Sequence, residues 1–123
     1  MLILTQYIVK HEFSSLSRYL NLNELIDGAK KVQKGLGIHM KSLQKEYAFY
    51  KVRIGKRNGA RMIVFMITEN QKVVPILIRL KKDKIFGMNM AMNNPKVTEQ
   101  INKNLSRIIE DIENHRFEEF PTS

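Results

Sequence analysis

Lys51 and Arg53 stand two residues apart in a stretch, 47–54, whose residues alternate between two sets. A period of two places both cations on one face of a strand. Arg61 follows a tight loop, and Lys81, Lys82 and Lys84 cluster where a later apolar run ends. Tyr47 and Phe49 share the face of Lys51 and Arg53, Tyr50 lies opposite, and Phe86 is close to the lysine run. Cations that grip phosphates and rings that stack bases are the components of single-stranded nucleic-acid binding. The candidate contact residues are therefore Tyr47, Phe49, Tyr50, Lys56, Arg57, Arg79, Lys81 and Lys84, around the cations Lys51, Arg53, Arg61 and Lys82.

Other chemistries find little support. The chain has no Cys, which excludes disulfides, thiol catalysis and Cys-based zinc sites, and fits a reducing cytoplasm. His11, His39 and His115 lack the spacing of a zinc helix, so they read as ordinary histidines and no metal is expected. Glu110, Asp111 and Glu113 read as a solvated helix face. Gly35-Leu36-Gly37 lacks the third glycine and the strand-to-helix setting of a phosphate loop. The methionines between Met88 and Met92 read as core filling. No cofactor is implied.

The elements that must position the cations follow from periodicity. Residues 2–9 predict a strand, and 12–20 a helix. Asn21, with Glu24 three residues on, is a capping box opening a second helix that runs to about Lys34, with Gly28 weakening it and Gly35 and Gly37 stopping it. Strands over 47–54, 61–67 and 73–80 are joined by Gly55-Lys56-Arg57-Asn58-Gly59 and by Glu69-Asn70-Gln71, and Pro75 marks an edge or a bulge. Residues 85–90 pair or loop back. Asn94-Pro95 opens a helix whose Val97, Ile101, Leu105, Ile108 and Ile112 share a face. The tail, 115–123, is expected to fray. The order strand, helix, helix, antiparallel meander, helix predicts an α+β fold: an antiparallel sheet with helices packed on one face and the cations on the open one.

With 123 residues, 43% of them hydrophobic, the chain fits one domain over 1–123. Its longest apolar run is the six residues Met62 to Ile67, far from the ~20 of a membrane span, and no secretory signal is visible. The net charge of +9 is segregated. Residues 30–84 hold fifteen basic and three acidic residues, whereas 1–29 and 85–123 are each slightly acidic. Such a block implies a polyanionic partner: nucleic acid, an acidic protein segment or, less favoured, an anionic membrane.

Tyr50-Lys51-Val52-Arg53-Ile54, Gly59-Ala60-Arg61-Met62-Ile63 and the Lys81-Lys82-Asp83 that ends the third strand resemble the RelE/ParE superfamily of bacterial type II toxins, including its HigB-like branch. Members carry a Y-K-x-R strand, a G-A/G-x-R-x-I/V strand, an apolar strand ending in K-x-E/D and a C-terminal helix. The likeness spans nearly the whole chain in element order, but its specific residues lie within 50–83.

The resemblance implies a cytoplasmic toxin with a RelE-like fold, blocked by a cognate antitoxin that is acidic where it wraps the toxin. RelE-like and HigB-like members cut messenger RNA on the ribosome; ParE-like members poison DNA gyrase. The favoured expectation is the ribosome-dependent endoribonuclease, with gyrase inhibition or a non-catalytic nucleic-acid-binding domain as alternatives. In cleavage, a base takes the 2′-hydroxyl proton, cations stabilise the phosphorane and the 5′-oxygen leaves with a proton. Lys51 and Arg53 would orient the phosphate and activate the 2′-hydroxyl, Arg61 would stabilise the transition state, and Lys82 would assist the leaving group. The chain departs from the pattern after the lysine run. Nuclease members often carry a Tyr or His near the C-terminal end; Ile85-Phe86-Gly87-Met88 offers neither, and only His115 follows.

Overall fold

A computed structural model describes residues 1–40, 48–55, 59–67, 69–83 and 94–122. Tyr47, Lys56, Arg57, Lys84, Phe86, the 85–90 segment and the methionines from Met88 to Met92 lie outside the described residues.

The strands are β1 (Leu2–Thr5), β2 (Ile38–Met40), β3 (Ala48–Ile54), β4 (Ala60–Ile67), β5 (Lys72–Leu80) and β6 (Phe117–Phe120), in one sheet of order β2-β3-β4-β5-β1-β6. The meander β3-β4-β5 is antiparallel, as the short polar turns require. The sheet as a whole is mixed, because β1 pairs parallel to β5 and antiparallel to β6. With the helices α1 (Gln6–Ile8), α2 (Leu22–Gln33) and α3 (Pro95–Glu113), this is an α+β architecture.

Two sequence expectations fail near the N-terminus for one reason. Thr5 is an N-cap whose Oγ1 accepts from Ile8 N at 3.3 Å, so β1 stops there and the chain turns helical at Gln6. A π-helical turn (Val9–Phe13) and a 3-10 turn (Ser14–Leu16) follow, in place of a regular helix over 12–20. The tail is not frayed either. Its 117–120 segment pairs residue by residue with β1, from Leu2↔Phe120 to Thr5↔Phe117.

The capping box is present: Asn21 Oδ1 accepts from Glu24 N, and Glu24 Oε1 from Asn21 N, both at 3.0 Å. From α2, Leu25, Gly28, Ala29 and Val32 turn inward. Gly28 sits so close to the sheet that a Cβ there would lie 2.5 Å from Ile54 Cγ2 and 3.0 Å from Met62 Cε. In α3, Asn94 caps the N-terminus and Val97, Ile101, Leu105 and Ile108 are buried.

Helices on one face leave the other open, and the middle of this sheet is not open. Met62 to Phe65 are buried without interruption, and so are Val73 to Leu77 and Ile78, so both faces are shielded there. Unbroken apolar runs are the mark of strands covered on both sides. Pro75 is tolerated in an interior strand because it lies at a bulge: Ile63 opposes Leu77 while Val64 opposes Pro75, and the register passes over Ile76. Asn104 Nδ2 of α3 donates to the Ile76 carbonyl at 2.8 Å.

Candidate nucleic-acid interface

The register of the meander brings the arginines into line. Arg53 opposes Arg61, and Arg61 opposes Arg79, one row across β3, β4 and β5. Lys51, two residues before Arg53, lies on the same strand face. Like charges directly opposite one another destabilise a sheet unless other groups compensate them.

At Arg79 the compensation is visible. Glu12, 3% exposed, forms a short ion pair with Arg79 Nη1 and also accepts the Ile78 backbone N–H at 2.9 Å. Asp83 lies 3.9 Å from Arg79 Nε. The π-helical turn holds Glu12 at this point, beside the stretch of β5 that extends past β1.

Lys51, Arg53 and Arg61 line a cleft of about 390 Å³ with Lys31 of α2 and the apolar Leu36 and Ile38. Lys31 Nζ donates to the Arg53 carbonyl at 3.3 Å, reaching β3 where β2 no longer covers it. Leu36 and Ile38 are 68% and 62% exposed, a large apolar surface on the outermost strand and its approach. Lys51 holds its proton less tightly than an ordinary lysine: burial disfavours its charge first, and the neighbouring Arg61 and Arg53 disfavour it further.

The other expected contacts divide. Lys82 is not in this cleft. Its ammonium lies 5.6 Å from the centre of the Tyr19 ring, in a separate cleft that Arg79 also lines. Lys81 is exposed where the chain leaves β5, its N–H bonded to the Gly59 carbonyl at 2.8 Å. Phe49 is no stacking platform: it is 3% exposed and meets Phe65 edge-on, 6.4 Å between centroids. Tyr50 lies on the opposite strand face from Lys51, with its ring 5.3 Å from that of His39. Alternation correctly paired Phe49 with Lys51, but the far half of that face is core.

Asp111 also departs from expectation. It is buried, accepting from Tyr7 N at 2.7 Å and Arg116 Nε at 2.8 Å, and so ties the end of α3 to the start of α1. His115, beside Phe117, is outside the cationic cleft. Among the described residues no group of His, Asp and Glu could hold a metal ion, and no helix is long and apolar enough to cross a membrane. Sequence reasoning missed Lys31 and Tyr19; Lys31 belongs to the basic block, but no spacing rule joins an α2 residue to a β3 carbonyl. Comparison with protein-family models, curated proteins and solved structures gives no match.

Proposed function

We propose that this chain is the toxin of a toxin–antitoxin pair, a ribosome-dependent messenger-RNA endoribonuclease of the RelE/HigB type. The observation that carries the reading is the convergence of Lys51, Arg53 and Arg61 in one cleft, with the Lys51 ammonium weakened by burial and by both arginines. Binding alone needs cations; a lysine that holds its proton less tightly than usual adds a group suited to proton exchange. The residue motifs around Tyr50, Gly59 and Lys81 support the same reading.

In this mechanism the deprotonated fraction of Lys51, enlarged by its lowered pKa, takes the proton of a 2′-hydroxyl. The 2′-oxygen attacks the adjacent phosphorus, and Arg53 and Arg61 stabilise the charge that gathers on the phosphorane oxygens. The P–O5′ bond breaks, leaving a 2′,3′-cyclic phosphate; the 5′-oxygen takes a proton from water, and Lys51 returns the 2′-hydroxyl proton to solvent. Arginine remains charged throughout, whereas lysine can exchange a proton, which separates their roles.

The antitoxin fits the same surface. Exposed Leu36 and Ile38 beside four cations suit a segment carrying both aliphatic and acidic side chains. The deciding experiment is a ribosome-bound messenger assay. Cuts by the wild type that fall about 10²–10³-fold in Arg61→Ala are expected. Intact transcripts accompanied by trapped gyrase–DNA adducts would replace the nuclease with a gyrase poison. Salt-sensitive binding with neither effect would leave a non-catalytic nucleic-acid-binding domain.

A further inference from the structure

We infer that the cleft between the first helical turns and the end of β5 is a second nucleotide subsite, taking the base and phosphate of a single-stranded RNA residue that flanks the one held at Lys51, Arg53 and Arg61. The inference rests on the reading of that first cleft as an RNA site and adds to it where the strand goes next.

The second cleft has a volume of about 640 Å³, within the range of sites that enclose a small ligand. Tyr19 is 38% exposed, so its ring is available to solvent. The Lys82 ammonium 5.6 Å from the ring centre puts a cation beside a stacking surface. This pairing is what single-strand binding uses: the ring takes any base through its π-face, and the cation takes the phosphate. Exposed Lys82 also has length to move from the ring toward a phosphate as a base replaces it.

Arg79 lines the second cleft, and on the neighbouring strand, about 4.8 Å away, it opposes Arg61, which lines the first; an RNA strand running from β4 to β5 would follow that step. Glu12 and Asp83 carry negative charge into the second cleft, but both face Arg79, and Glu12 is also bonded to Ile78 N. That arrangement reduces their repulsion of a phosphate and holds the guanidinium in place. It also accounts for the position of Lys82, which the first cleft does not include.

The test is fluorescence anisotropy at low salt with a labelled single-stranded RNA hexamer. Tyr19→Leu is expected to weaken the hexamer about 5- to 150-fold, the range of one lost base stack. Tyr19→Phe should bind like the wild type, because stacking needs the ring and not the hydroxyl. Lys82→Gln should weaken the hexamer as well, through the lost phosphate contact. Hexamer affinity unchanged in Tyr19→Leu but reduced in Arg61→Gln would overturn the second subsite and leave the first. Affinity insensitive to Arg61→Gln, or no binding by the wild type, would remove the RNA reading itself and the subsite with it. Matching thermal melts of Tyr19→Leu and Tyr19→Phe would assign a difference between them to the ring rather than to folding.

Discussion

Lys51 is held in a position that favours loss of its charge. Partial burial and two arginines on adjacent positions of the sheet act in the same direction, and all three causes come from side chains that an ordinary sheet would keep apart. A base works in its deprotonated form, so the cleavage rate should rise as pH climbs through the Lys51 pKa. Removing Arg61 withdraws one of the causes and returns that pKa toward the ordinary lysine value. In Arg61→Gln the rising limb of the pH–rate profile is therefore expected at higher pH, on top of the lower rate. A limb that stays in place would show that another group supplies the base. The same repulsion bears on stability. Native Lys51 gives up its proton more readily than unfolded Lys51, so its charged form weakens the fold and the penalty disappears as pH rises through the native value and then the unfolded one. Lys51→Met should accordingly raise the neutral-pH unfolding midpoint at low salt while abolishing cleavage, and the difference should vanish at high pH.

At the scale of the element, close approach governs the sheet. Helix α2 lies over Ile54 and Met62 through Gly28, and the strand that carries Lys51 and Arg53 is thereby held against it. Gly28→Ala improves helix propensity by about 1 kcal/mol. The 2.5 Å approach to Ile54 Cγ2 makes overpacking the larger effect, so a net loss of about 1–2 kcal/mol is expected in urea denaturation. A stabilised variant would mean that α2 does not pack this closely. At the opposite edge, β6 covers β1 with two half-buried phenylalanines, Phe117 and Phe120. Ending the chain after Arg116 should remove about 2 kcal/mol of stability, judged from partial burial of two large rings. Faster hydrogen exchange at the Leu2–Thr5 amides should accompany it. Unchanged exchange would show that β6 is an appendage and not part of the sheet.

Across the whole molecule the charge is sorted by place. The basic block contributes the end of α2 and strands β2 to β5, whereas Glu118 and Glu119 lie on β6, at the far edge from the outermost strand β2. This distribution would steer a polyanion toward the side holding the cationic cleft. For single-stranded nucleic acid, log K falls with log salt at a slope of about 0.7 per phosphate neutralised. Arg53→Gln and Arg61→Gln should each lower the slope of RNA binding by about 0.7, while Glu118→Gln should leave it unchanged. Equal slopes in all three would place the bound phosphates elsewhere.

Local patterns in the sequence were sufficient for much of this arrangement. Alternation in 47–54 marked β3 and paired Lys51 with Arg53; the capping box at Asn21 and the Asn94-Pro95 pair opened α2 and α3. These depend on neighbours within a few positions, where backbone geometry and side-chain period act directly. The rest depends on pairings between distant segments. Only the assembled sheet set Arg53, Arg61 and Arg79 in one row, turned Phe49 into core, gave the 117–120 segment a partner in β1, and put Glu12 on Arg79. Burial and ion pairing are decided by which surfaces meet, and two residues 67 positions apart meet only when the chain between them has folded.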